Sequence, residues 1–197
     1  FADEGNSVTY AELTAKAKRM AVGISKKTVS RSPVAVLGGK KIETVIAFFA
    51  CVYAGCFYVP LNPAHPECRL RQILKTLDHP LVLLERGYEK LLTDECEEIY
   101  FAENAERTLF FDEADTSDDA AILDKIRRSH IDTDPLYVMF TSGSTGIPKG
   151  IAVSHRSVID FIGEFVNLFG IDQSDVIGNQ APFDFDVSVK DIYATIA

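Results

Sequence analysis

Between positions 141 and 150 the sequence packs four hydroxyl side chains, three glycines and one lysine into the run TSGSTGIPKG. Thr141, Ser142, Ser144 and Thr145 supply O–H donors. Gly143, Gly146 and Gly150 let backbone N–H groups turn toward an anion with no Cβ in the way. Lys149 adds a single mobile positive charge. Many donors, close backbone approach and a cation that tolerates changing geometry are what a polyphosphate requires. The pattern is not the P-loop of kinases and NTPases, which needs a glycine before the lysine and a hydroxyl after it. Pro148 and Gly150 stand in those places. A flexible Gly/Ser linker is the bland alternative, but a linker has no use for the lysine and does not sit between two strongly apolar segments. His155 follows the loop, where it either faces a nucleotide or merely opens the next helix.

Asp186 is the second residue with chemistry to offer, because Phe185 and Val187 bracket it and suggest an apolar setting. An ionised carboxylate is costly there unless a cation meets it, and the ammonium group of an amino acid is such a cation. Helix capping is the competing role, since Asp is favoured at helix starts. Ser188 with Asp191 could cap instead and leave Asp186 free. Asp184 is expected to share the strand face of Asp186 and to raise the cost of ionising both.

The elements that must hold these residues alternate between helical and extended patterns, the signature of a parallel sheet covered by helices. A first helix starts near Thr9, where Thr9 and Glu12 form a capping box, and Tyr10, Leu13, Ala17, Met20 and Ile24 make its apolar face. A strand SPVAVLG, a turn at Gly38 and Gly39, an apolar helix over 41–54 and a strand over 57–61 complete a β-α-β unit. Pro66 suits the first turn of a further helix over 69–77, and residues 81–85 return to the sheet. Between 94 and 124 twelve acids face Arg107 alone, which reads as a solvated, loop-rich surface, closing with a short helix. Leu136 to Phe140 form a buried strand leading into the polar loop, and the loop leads into a helix whose face is lined by Val158, Ile159, Ile162, Phe165, Val166 and Phe169.

Bulk properties narrow the classes. With 47% hydrophobic and 25% charged residues, 197 residues can bury one substantial core. A net charge of −9 repels phosphate backbones and anionic lipid, so nucleic acid is not an expected partner. Cys51, Cys56, Cys68 and Cys96 form no C-x-x-C pair, imply no metal site and fit a reducing, cytoplasmic setting as structural thiols. The uncharged run over 45–59 is shorter than a transmembrane span, and Gly55 and Pro60 interrupt it. No signal peptide is visible.

The segment YVMFTSGSTGIPKGIAVSH resembles the phosphate-binding signature of the adenylate-forming superfamily, which includes peptide-synthetase adenylation domains, acyl-CoA synthetases and luciferases. VTYAEL and ACVYAGCFYVPLNPAHP resemble earlier landmarks of that superfamily in the same order. The resemblance implies an α/β fold with partly parallel sheets covered by helices, the N-terminal portion of the large domain. Residues 1–197 would form an incomplete N-terminal subdomain of an AMP-binding domain. It further implies ATP and Mg²⁺, with Thr141, Ser142, Gly143, Ser144, Thr145, Gly146 and Lys149 on the phosphates. Phe185, Asp186 and Ser188 match the F-D-x-S stretch with which amino-acid adenylation domains hold the substrate amine. The wording NQAPFDFDVSVKDIY is closest to D-alanine:carrier-protein ligases, which load D-alanine for teichoic-acid esterification; at Lys190 and Asp191 average peptide-synthetase domains carry a Trp-Glu pair. Asp184 departs from the pattern, since similar proteins hold a small residue there.

On that resemblance the expected activity is activation of an amino acid as its aminoacyl-adenylate, then transfer to the phosphopantetheine thiol of a carrier protein. An adenylation domain for another amino acid, an acyl-CoA synthetase-type ligase and a non-catalytic binding module are the alternatives. The adenine-binding stretch, ribose-binding aspartate, hinge and catalytic lysine of the superfamily are expected beyond Ala197. No catalytic residue is therefore assigned within these residues, and the piece alone is expected to be inactive.

Overall fold

The computed structural model describes residues 1–91, 98–100, 117–142 and 147–197. Gly143, Ser144, Thr145 and Gly146, Cys96 and most of the acidic stretch lie outside the described residues. In chain order the elements are α1 (Tyr10–Lys27), β1 (Pro33–Leu37), α2 (Ile42–Tyr53), β2 (Phe57–Leu61), α3 (Glu67–Thr76) and β3 (Leu81–Leu84). There follow β4 (Glu98–Tyr100), α4 (Ser117–Ser129), β5 (Pro135–Thr141), β6 (Lys149–Ser154), α5 (His155–Phe169) and α6 (Val187–Ala194).

The strands form one sheet in the order β4-β3-β1-β2-β5-β6. β1 to β5 run parallel, and β6 returns antiparallel beside β5. Strands buried on both faces read as unbroken apolar runs, and β1 and β3 do so. Their side chains alternate between two cores. Val34, Val36, Leu81 and Leu83 join α1, α2, α5 and α6 on one face, while Ala35, Leu37, Val82 and Leu84 meet α3 on the other.

Local chemistry sets the ends of the helices. Thr9 and Glu12 form the expected capping box at the head of α1. Pro66 is the residue preceding α3 rather than a member of its first turn. Gly55 turns α2 into β2 with φ of +72°, a conformation L side chains avoid. Cys51 and Cys56 are buried, and burial raises both thiols, Cys56 to about 11. Among the described residues no helix is long and apolar enough to cross a membrane.

Three expectations are corrected. The acidic stretch contains a strand, β4, which extends the sheet edge beside β3. The polar loop does not lead straight into a helix; it closes the β5–β6 hairpin, and α5 follows only after β6. The apolar stripe of α5 is narrower than its spacing suggests. Val158 and Ile162 are buried and Phe165 and Val166 pack on the core, but Ile159 and Phe169 are exposed.

Candidate functional site

In an open α/β sheet, ligands bind outside the carboxyl ends of the strands, where loops rather than side chains of the core face solvent. Thr141 and Lys149 close the β5–β6 hairpin there as register partners. Both are exposed, as is Ser142, so hydroxyls and an ammonium group stand together at the hairpin mouth. Arg69 from α3 donates to the Phe140 carbonyl at 3.0 Å and fixes the strand end from below. Gly150 does a different job from the anion-facing one expected of it. It lies within β6 opposite Phe140, and a Cβ there would come within 2.9 Å of the Val138 side chain. Its bareness lets β6 lie close on β5.

His155 is carried away from the mouth, because β6 spans about 20 Å back along the sheet. It opens α5, its N–H donating to Asp134 at 3.1 Å, beside His130. Burial, then His130, holds its imidazole below the ordinary value.

Asp186 stands at the head of α6, yet its side chain makes no capping hydrogen bond. The bonds that shape this turn come from its neighbours. Ser188 does not cap; its hydroxyl donates back to the Phe185 carbonyl at 2.7 Å. Asp191 is buried and accepts from Asn179 at 3.2 Å and from Lys190. Asp186 is exposed, and so are Phe185 and Val187, so the apolar enclosure expected around it is not formed by its two neighbours. Its charge reaches β5 all the same. The Tyr137 hydroxyl is pushed above its ordinary value, by burial first and by the negative charge of Asp186 second.

Asp184 does not share a strand face with Asp186. It lies in the turn before α6, largely buried, and reaches across to the loop after β2. There Asn62 donates to one carboxylate oxygen at 3.2 Å, and the His65 Nε2 lies 2.6 Å from the other. The Phe183 ring seats edge-on against Phe48 of α2 at 5.5 Å. A cavity of about 260 Å³ opens beside this junction, with Gly38, Gly39, Lys40, Asn62, Gln180 and Asp184 in its wall. Asn62, His65 and Arg69 escaped the sequence reading; only their place in a loop and helix start after a strong strand could have flagged them.

The turn bearing Asp186 is thus tied to the carboxyl end of β2, and the hydroxyl-rich hairpin mouth sits at the carboxyl end of β5, the adjoining strand. This is an α/β protein with exposed hydroxyls, an ammonium group and the Asp186 carboxylate on segments at the carboxyl ends of two adjoining strands of its sheet. The exposed Thr141, Ser142 and Lys149 suit a phosphate ligand. Among the described residues no group of three or more His, Cys, Asp or Glu side chains could hold a metal ion.

The chain belongs to the AMP-binding enzyme family, which it matches over residues 1–197. It is 32% identical over 194 residues to tyrocidine synthase 1 of Brevibacillus parabrevis, covering 98% of this chain and 17% of that protein. It is 31% identical over 194 residues to the D-alanine--D-alanyl carrier protein ligase of Bacillus licheniformis, covering 98% of this chain and 36% of that one. The chain therefore spans little more than a third of this ligase's length. Among solved structures, the nonribosomal peptide synthetase FmoA3 in its AMPPNP-bound form superposes with a TM-score of 0.80 at 23% identity, over 98% of this chain and 19% of that one. VinN in complex with L-aspartate gives 0.76 at 20% identity, over 98% and 54%. These likenesses establish the fold, and the α/β class with its largely parallel sheet agrees with the resemblance in the sequence.

Proposed function

We propose that this chain is the N-terminal part of an ATP-dependent ligase that activates an amino acid as its aminoacyl-adenylate. The observation that supports the reading is the carboxylate of Asp186, which makes no capping hydrogen bond and belongs to a turn tied through Asp184 to the end of β2, the neighbour of the strand that ends in the hydroxyl- and lysine-bearing hairpin. In this reading Thr141, Ser142 and Lys149, with Gly143, Ser144, Thr145 and Gly146, hold the triphosphate, and Asp186 receives the substrate ammonium group. A carboxylate oxygen of the amino acid attacks the α-phosphorus; a new P–O bond forms, the α–β bridge breaks and pyrophosphate leaves. Catalysis is then positioning and charge neutralisation, to which Mg²⁺ on the phosphate oxygens would contribute. The phosphopantetheine thiol of a carrier protein next attacks the acyl carbon as it loses its proton, forming a thioester and releasing AMP.

D-alanine is the preferred substrate, on the resemblance of residues 179–193 and the ligases among the relatives. That assignment would make the enzyme cytoplasmic and a supplier of D-alanine for teichoic-acid esterification. The likeness to tyrocidine synthase 1 supports a second reading with the same chemistry, a peptide-synthetase adenylation domain for another amino acid.

Amino-acid-dependent pyrophosphate exchange by the full-length polypeptide, across D-alanine, L-alanine, glycine and acetate, tests both. Exchange should require an amino acid, and Asp186→Ala should lower it on the order of a hundredfold, the usual loss when one partner of a charge pair is removed. Acetate supporting exchange as well as the amino acids, with Asp186→Ala harmless, would mean the substrate carries no amine.

A further inference from the structure

Asp184 is costly where it lies. A largely buried carboxylate needs hydrogen bonds, and this one has drawn two from a single loop, Asn62 at 3.2 Å and His65 at 2.6 Å. Those partners lie 122 and 119 residues away in sequence, so the bonds join the end of β2 directly to the turn before α6. Asn62 is itself held, its side-chain oxygen accepting from the Ala64 N–H at 2.9 Å and its carbonyl from the His65 N–H at 3.0 Å. The clamp is therefore anchored at its β2 end. At its other end only Phe185 separates Asp184 from Asp186. Phe185 N–H donates to Pro182 at 3.1 Å, and Val189 N–H to the Asp186 carbonyl at 3.0 Å, so the two aspartates belong to one continuous turn. Asp186 itself has no capping bond to hold it.

We propose that Asp184 is a positioning residue: gripped by Asn62 and His65, it fixes the turn that presents Asp186 to the substrate ammonium group. This rests on the assignment of Asp186 as the amine-binding carboxylate. In this role Asp184 acts through Asp186 rather than on a reacting atom. Its role is to keep a short, exposed carboxylate from wandering, and displacement of a binding group by about 1 Å is enough to cost activity severely. The clamp should therefore govern amino-acid binding and leave ATP binding alone.

The test is pyrophosphate exchange by the full-length polypeptide with Asp184→Ala, His65→Ala, the double variant, Asp184→Asn and Asp186→Ala, each with a thermal melt. Asp184→Ala and His65→Ala should each raise the amino-acid KM roughly tenfold while the ATP KM stays within about twofold. The double variant should be no worse than Asp184→Ala, because both remove one interaction. Asp184→Asn, which keeps an acceptor oxygen for His65, should recover part of the loss. His65 is partly exposed, so His65→Ala keeps the test alive should Asp184→Ala fail to fold. Both KM values moving together with a lowered melting temperature, neither moving, or the single effects summing in the double variant would each overturn the clamp. If Asp186→Ala abolishes exchange while the Asp184 and His65 variants behave as wild type, the clamp alone falls. If Asp186→Ala is harmless, the amine-binding assignment falls and the clamp with it.

Discussion

At the scale of single residues, the polar groups of this chain divide by whether the fold has already used them. Glu85 is buried but occupied, accepting the Gly39 N–H at 2.6 Å and the Lys41 ammonium, and so joins the ends of β1 and β3. Asp184 and Asp191 are likewise committed, whereas Asp186 makes no capping hydrogen bond. Glycines divide in the same way. A Cβ at Gly55 would sit 2.3 Å from His130 Nε2 and 2.7 Å from Ile126 Cγ2, and the positive φ adds strain of its own. Gly55→Ala should therefore destabilise the protein by about 2–4 kcal/mol, combining overpacking with a left-handed alanine. Urea unfolding measures this directly. A change below about 0.5 kcal/mol, the level of an ordinary surface substitution, would mean α4 moves aside freely.

At the scale of elements, the hairpin that carries the polar loop depends on how closely β6 can approach β5. Gly150 permits that approach, since its Cβ would press on Val138 at 2.9 Å and Phe140 at 3.1 Å. Gly150→Val should push β6 outward and part Thr141 from Lys149. The expected result is an ATP KM raised about tenfold with a smaller change in the amino-acid KM, because Asp186 is tied to β2 instead. An amino-acid KM that rises more than the ATP KM would place the two features on one element. β6 also shows where sequence reading loses sight of structure. The first helix, with its Thr9 and Glu12 cap, and the strand at 57–61 were legible because caps and apolar runs are local signals. β6 carries no such signal: it is an edge strand whose first four residues are exposed, so neither alternation nor a continuous apolar run marks it. The narrow stripe of α5 was hidden for the opposite reason. Ile159 and Phe169 have the right spacing but no neighbour to meet, and spacing cannot reveal that. The hydroxyl- and glycine-rich loop and Asp186 could be singled out as candidates from residue types together with the resemblance. The bonds that Asp184 makes to Asn62 and His65 could not, because nothing local predicts partners more than a hundred residues distant.

At the scale of the whole molecule, the sheet separates two kinds of charge. Its carboxyl edge carries the candidate site, while a structural cluster gathers at the other end, where α4, β1, β5 and α5 meet. There Asp134 accepts from Arg31 Nε at 2.8 Å and lies 3.0 Å from His130 Nδ1, with His155 alongside. The hydrogen bond from Arg31 is the main influence holding the Asp134 carboxyl below its ordinary value. Both imidazoles are lowered from 6.5, chiefly by burial; Asp134 opposes the shift at each, Arg31 adds to it at His130, and His130 adds to it at His155. The sign follows from which state takes protons first. As pH falls through the ordinary imidazole range, the unfolded chain binds protons at these two positions before the folded one does, so acid removes stability. The carboxylate contribution of Asp134 runs lower, being present above 3.8 and lost only as pH drops below it. Between about pH 7.5 and 5.5, then, the histidines act without it. Thermal unfolding should shift to lower temperature across that interval. His130→Asn, which keeps a donor toward Asp134 but cannot titrate there, should flatten the dependence. A melting temperature that is constant or rises on acidification would show that these imidazoles stay outside the folding equilibrium, and a slope unchanged in His130→Asn would show the same of His130.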